Sequence, residues 1–188
     1  VMRSFSFPGE DHQTAGIFAL CDREAREAFF EETDENPEVE TVDGYIIEGC
    51  AGKGTFAGAA EEAGLEVGVV VERDPMMSRY LEKRFPEADT YGDLEVEAAA
   101  DGRTPEWVAA IKKRGPATAA CGGYPCQPFA SAGLQRGMED HRAQVSTEGP
   151  VQLVAMSEAE FGVFENVATE SYKQVLAIID TGMTGRSR

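Results

Sequence analysis

The sequence predicts an α/β fold in which a parallel sheet is covered on both faces by helices. Three observations predict it. From residue 45 onward, short apolar runs alternate with helical stretches. The first apolar run feeds directly into a glycine-rich turn, with Gly49, Gly52 and Gly54. Five apolar runs end on a polar or glycine feature, at the strand ends where such sheets hold ligands: the glycine turn, Glu72, Asp93, Cys126 and Glu165.

Each element has a local reason. Residues 1–44 are read as an acidic N-terminal segment, a helix plus a linker. Phe18, Cys21, Ala25, Ala28 and Phe29 recur at helical spacing over residues 18–30. Residues 31–37 are too polar to bury and read as a solvated linker. Residues 45–47 form a short buried strand. Residues 56–63 form a helix that stops at Gly64. Residues 67–71 are a second apolar strand, ending at Glu72. Pro75 suits the first turn of a helix over 76–85. Residues 88–91 are a weak strand before Gly92 and Asp93. Helical pieces follow at 94–100 and 105–113. Strands at 117–121 and 161–164 and a helix at 172–179 complete the pattern.

Composition narrows the class. With 188 residues, 42% apolar and 27% charged, the chain reads as one soluble globular domain. No apolar run approaches the roughly 18 residues of a membrane span, and the first residues lack the apolar core of a signal peptide. Four cysteines without a secretory signal point to a reducing compartment. Intracellular placement is expected, in the nucleus of a eukaryote or the cytoplasm of a bacterium. Cys121 and Cys126 lie five apart with no second close pair, and His12 and His141 are isolated, so no metal site is expected. The net charge of −17 opposes contact with a nucleic-acid backbone. It is uneven: residues 1–44 hold twelve acids and three bases, about half the excess.

The glycine turn has neither the Walker spacing, because Gly52-Lys53 is followed by Gly54, nor the dinucleotide spacing. Glu72 ends the next strand, where a carboxylate can accept from both ribose hydroxyls. Asp93, after the third strand, can accept from an adenine amine. Together they suggest an adenosine ligand that needs no phosphate cradle.

These residues resemble a known family. The run Cys50-Ala51-Gly52-Lys53-Gly54-Thr55-Phe56 and its continuation to Val67 is similar to the first motif of the cytosine-C5 DNA methyltransferases. Glu72 and Asp93 match the second and third motifs. Gly122-Gly123-Tyr124-Pro125-Cys126-Gln127-Pro128-Phe129, with Gly137, Asp140 and Arg142 following, resembles the catalytic motif. Phe164-Glu165-Asn166-Val167 resembles the Glu-Asn-Val motif. The match is colinear over about residues 45–180.

The resemblance implies a Rossmann-like methyltransferase sheet with about five of seven strands present, residues 45–188 being a partial catalytic domain. It implies S-adenosyl-L-methionine as cofactor, held by Gly52, Gly54, Phe56, Glu72, Asp93 and Leu94. It implies methyl transfer to carbon 5 of a cytosine flipped out of DNA. Cys126 would add to the ring as nucleophile, and Glu165 would hold or protonate ring nitrogen 3. Gln127, Ser131, Arg136, Arg142 and Asn166 would face the substrate.

There are departures. Tyr124 stands where the family usually has proline, Thr55 replaces a glycine and Cys50 an aromatic residue. Residues 143–155 fit the next motif poorly. The family's arginine motif has no secure counterpart, the ending Arg186-Ser187-Arg188 lacking its glutamine. The chain therefore reads as truncated before the target-recognition region, and a protein partner supplying missing parts is expected. Two alternatives stay open: a catalytically incomplete remnant that binds S-adenosylmethionine or a partner protein, and a tRNA cytosine methyltransferase.

Overall fold

A computed structural model of the chain describes residues 3–5, 15–20, 42–98, 102–129, 136–140 and 142–167. Among these residues the strands are β1 (Arg3–Phe5), β2 (Ala15–Leu20), β3 (Tyr45–Gly49), β4 (Glu66–Val71), β5 (Asp89–Tyr91), β6 (Ala119–Gly123) and β7 (Phe161–Val167). The helices are α1 (Thr55–Glu62), α2 (Pro75–Arg84), α3 (Val108–Arg114) and α4 (Ala143–Ser157). The strands form one sheet in the order β1-β2-β7-β6-β3-β4-β5. Neighbours from β3 to β7 pair in parallel, as the alternation of strands and helices predicts.

Side chains on successive strand residues point to opposite faces. Tyr45 and Ile47 of β3 join a core with Val69, Val71, Trp107, Ile111, Leu153 and Phe164, beneath α3 and α4. Ile46 joins the other core with Val70, Ala57, Leu81 and Phe85, beneath α1 and α2. Both faces of the sheet are covered. No helix among the described residues is long and apolar enough to cross a membrane.

Three elements differ from the sequence reading. Residues 18–20, assigned to a helix, lie in β2, which pairs antiparallel with β7 from Ala15↔Val167 to Leu20↔Gly162. The apolar run Ala15–Leu20 supplies backbone partners to an otherwise open edge of β7, and that tertiary pairing overrides helical spacing. The remaining residues of that helix, the linker at 31–37 and the helix at 172–179 fall outside the described residues. The piece at 94–100 contains a short 3-10 turn, Val96–Ala98. Finally, α4 was not anticipated, because Gly149 and Pro150 sit in its middle. Packing explains the glycine: a Cβ at Gly149 would lie 2.6 Å from the Tyr124 ring.

Trp107 ties the α3 face together. It is fully buried, and its indole N–H donates to the Leu94 carbonyl at 3.1 Å. Trp107→Ala removes that packing and is expected to cost about 3–5 kcal/mol of stability. Urea unfolding would show it as a lower midpoint; an unchanged midpoint would contradict this placement.

Candidate active site

The strand order fixes where a site can form. Strand β3 has β4 on one side and β6 on the other, so the chain reverses direction of sheet growth between β3 and β6. A crevice opens at the carboxyl ends of strands at such a switch point. The register shows what meets there. Tyr91, Val71, Gly49, Gly122 and Phe164 form one row across the sheet. The next residue along each strand is Gly92, Glu72, Cys50, Gly123 and Glu165. The features read from five separate strand ends therefore converge on one edge. Close approach is built in: a Cβ on Gly122 would sit 2.5 Å from the Gly49 carbonyl oxygen.

The glycine turn is wound tightly. Cys50, Gly52 and Gly54 all have left-handed backbones, with φ of 52°, 55° and 73°. The two glycines meet different needs. A Cβ on Gly54 would collide with Phe85 at 2.6 Å and Leu81 at 2.9 Å, so packing requires that glycine. A Cβ on Gly52 or Gly92 would meet nothing within 4 Å. Open space therefore lies over the turn and beside Asp93.

Two carboxylates hold the turn in shape. Glu72 accepts from the Gly52 N–H at 2.7 Å and from the Asp74 N–H at 2.7 Å. Glu48, which the sequence reading missed, lies almost fully buried on the α1 face of β3. It accepts from the Ala57 N–H at 2.7 Å and the Phe56 N–H at 3.3 Å. The residue capping α1, Gly54, has no side chain to do this, so a strand residue satisfies the helix's first amides. The available signal was an acid inside an apolar strand, directly before a glycine turn.

Burial pushes the Glu48 carboxyl up to about 7, against the pull of its backbone donors, and nearby Glu72 adds to the rise. The folded chain thus holds this proton more tightly than the unfolded chain. The resulting stability is full below about pH 4.5 and is lost as pH climbs through about 7, a change of about 3 kcal/mol. Glu48→Gln cannot titrate. Between pH 4.5 and 8, its stability relative to the wild type is expected to improve by about that amount. Urea unfolding at both pH values checks this; a pH-independent difference would refute it.

The other cofactor candidates lie around the turn. Phe56 is half-buried at the start of α1 and packs against Ile46's core. Asp93 is exposed, accepts from the Glu95 N–H at 2.9 Å and pairs with Arg73 at 3.6 Å. Leu94 is buried, and its side chain would lie 3.1 Å from a Cβ on Gly49.

Beyond β6 the chain turns through Tyr124, Pro125 and Cys126. Buried groups grip its backbone. Asn166 Nδ2 donates to the Tyr124 carbonyl at 3.1 Å, and Ser146 Oγ donates to the Pro125 carbonyl at 2.7 Å. The Cys126 carbonyl accepts from the Phe129 N–H at 2.9 Å, closing a turn. Cys126 itself is a partly exposed free thiol. Burial pushes the thiols of Cys50 and Cys121 up to about 12, which keeps them protonated and inert.

Glu165 stands next to this loop. It is paired with Gly123 in the β6–β7 ladder, and its Oε2 would lie 3.4 Å from a Cβ there. Burial pushes its carboxyl up from the ordinary carboxylate range. The missing side chain at Gly123 leaves room for that carboxylate over the strand.

The remaining substrate candidates divide. Gln127 and Arg136 are exposed. Asn166 is fully buried and engaged with the loop backbone. Arg142 forms a two-pronged pair with Asp140, at 2.8 and 2.7 Å. Ser131 lies outside the described residues. Among the described residues no cluster of His, Cys, Asp and Glu is placed to hold a metal ion.

Comparison with known proteins bears on the fold and the family. A DNA modification methyltransferase encoded within an E. coli prophage superposes with a TM-score of 0.56 at 22% identity, over 76% of this chain and 38% of that one. A mutant of the DNMT2 of Spodoptera frugiperda superposes with a TM-score of 0.54 at 20% identity, over 76% of this chain and 41% of that one. The chain thus spans about two-fifths of the length of either structure, and it shares their Rossmann-like fold. No curated protein matches its sequence. The family model for C-5 cytosine-specific DNA methylases matches residues 45–174, and the chain belongs to that family.

Proposed function

We propose that this chain transfers a methyl group from S-adenosyl-L-methionine to carbon 5 of cytosine in DNA, through a covalent adduct on Cys126. The observation that carries the reading is one juxtaposition. The sheet register sets Glu165 beside Gly123, three residues before a partly exposed thiol, and on the same strand sets Gly122 beside Gly49, the strand end that opens the glycine turn.

The residues present fit the cofactor. Open space lies over Gly52. A carboxylate has about four acceptor sites, so Glu72 can receive two ribose hydroxyls beyond its two backbone donors. Asp93 is exposed and can meet an adenine amine, while Phe56 and Leu94 supply apolar surface. When bound, the cofactor supplies an electrophilic methyl group.

Carbon 5 of cytosine is too weak a nucleophile to take that methyl unaided. The Cys126 thiolate forms a bond to carbon 6, and the displaced electron pair makes carbon 5 enamine-like. Glu165, whose carboxyl burial raises above the ordinary carboxylate range, donates to ring nitrogen 3 in its protonated form and stabilises the adduct. After methylation, water takes the carbon-5 proton, the carbon 5–carbon 6 double bond re-forms, and the carbon–sulfur bond breaks to free the thiolate. The cytosine must leave the duplex to be reached.

Incubating the full chain with S-adenosylmethionine and DNA containing 5-fluorocytosine tests this directly. The fluorine cannot leave as a proton does, so the adduct accumulates as a slower-migrating covalent species. No adduct, with cofactor binding retained, would favour a remnant. An adduct on tRNA and none on DNA would move the substrate.

A further inference from the structure

The loop that carries Cys126 departs from the family at Tyr124, which stands where proline is usual. Its large side chain is buried, and three glycines make room for it. A Cβ on Gly149, in the middle of α4, would lie 2.6 Å from the Tyr124 ring. One on Gly122, near the end of β6, would lie 2.8 Å from the ring. One on Gly49, at the end of β3, would lie 3.3 Å from the Tyr124 hydroxyl oxygen. The Phe164 ring of β7 meets Tyr124 edge-on, with centroids 5.6 Å apart. The backbone is held as well. Asn166 Nδ2 donates to the Tyr124 carbonyl at 3.1 Å, and Ser146 Oγ donates to the Pro125 carbonyl at 2.7 Å. Glycine inside a helix weakens it relative to alanine, so Gly149 serves the ring rather than the helix.

We propose that Tyr124 is a positioning residue for Cys126: its ring, keyed into a socket of three glycines, sets the course of the loop that carries the thiol. Proline stiffens a chain through its own ring. Here a side chain seated among β3, β6, β7 and α4 stiffens the same point, and Cys126 follows two residues later, after Pro125. The socket also spans the site. The Tyr124 hydroxyl and the Leu94 side chain both border the space beside Gly49, where the glycine turn begins. The loop bearing the thiol is thereby registered against the strand end that opens the candidate cofactor turn. The proposal deepens the reading of Cys126 as nucleophile and rests on it for its catalytic meaning.

The test compares two readouts in the full chain. Iodoacetamide alkylation, mapped peptide by peptide, reports the loop without DNA or cofactor. In Tyr124→Ala the loop loses its anchor, and Cys126 should alkylate about threefold faster or more. Cys50 and Cys121, whose thiols burial keeps protonated, should stay slow. Methyl transfer should move the other way, with kcat falling about 10²-fold, the cost of a displacement near 1 Å, and KM for DNA little changed. Gly149→Ala approaches the socket from the opposite side. Alanine favours the helix, but its Cβ drives into the ring, so Cys126 should again alkylate faster and kcat fall. Adding Tyr124→Leu to Gly149→Ala relieves the collision and should bring both readouts back toward the wild type. Tyr124→Phe keeps the ring and should retain most of the wild-type values. Should Tyr124→Ala unfold and quicken all three thiols, Gly149→Ala decides alone. Unchanged alkylation of Cys126 in Gly149→Ala overturns the proposal, as does a common quickening of Cys50, Cys121 and Cys126 there. A selective quickening with kcat unchanged overturns it too. The outcome is separable from the proposed function: selective quickening in the variants, with no 5-fluorocytosine adduct on the wild type, keeps the socket and removes its use in methyl transfer.

Discussion

Cys126→Ser is expected to abolish the covalent complex with 5-fluorocytosine DNA and to lower methyl transfer at least about 10³-fold. The size follows from acidity. A cysteine near neutral pH supplies some thiolate, whereas a serine hydroxyl supplies essentially no alkoxide without a dedicated base. The loop gives serine no other disadvantage. Its shape depends on the Tyr124, Pro125 and Cys126 carbonyls, which bond to Asn166, Ser146 and Phe129 through groups the substitution leaves intact. The glycine turn is held separately, by Glu48 and Glu72. The variant should therefore fold and bind S-adenosylmethionine as the wild type does, which calorimetry can check. Cys50 and Cys121 cannot stand in, since burial holds both thiols protonated. An adduct that survives in Cys126→Ser would sink the nucleophile assignment, and mapping the attached peptide would show which residue replaced it.

The strands and the glycine turn were legible because they repeat a local code. Tyr45, Ile46 and Ile47 are apolar on both faces, as a strand between two helical layers must be. What local pattern could not reach was decided elsewhere in the molecule. Residues 18–30 have helical spacing, but the backbone of residues 18–20 is claimed by β7. Helix α4 carries Gly149 and Pro150, and only the Tyr124 ring pressed against it makes the glycine intelligible. The candidate site divides in the same way. Cys126, Glu165, Glu72 and Asp93 were visible as residue types at strand ends. Glu48 and Ser146 were not, because their importance lies in the amides and the carbonyl they serve, up to 21 residues away in sequence. Arg142 is the instructive middle case: it and Asp140 were both read as motif positions, while the two-pronged pair between them was not.

Glu165→Gln is expected to lower the rate of methyl transfer about 10²-fold, and Glu165→Ala by more, within the 10²- to 10⁴-fold range of general acid catalysis. Glutamine keeps a hydrogen-bond donor for ring nitrogen 3 but has no proton to give, so the two variants separate holding from protonating. The loss should fall on kcat more than on KM for DNA, because stabilisation grows as the adduct forms. The pH dependence has a definite sign. Burial raises the Glu165 carboxyl, so it keeps its proton to higher pH than an ordinary glutamate. Steps that need that proton run fully below the raised value and fade as pH climbs through it. The wild type should show this falling limb in single-turnover kinetics, and Glu165→Gln should lack it. If Glu165→Gln raises KM with kcat and the pH profile unchanged, the carboxyl is only a binding contact. The surrounding geometry offers an independent check. A Cβ at Gly123 would touch the Glu165 carboxylate at 3.4 Å, so Gly123→Ala sets a methyl against the acid without removing it. That variant should lower kcat while its falling limb persists, an outcome expected only if the position of the carboxyl over the strand matters to the chemistry.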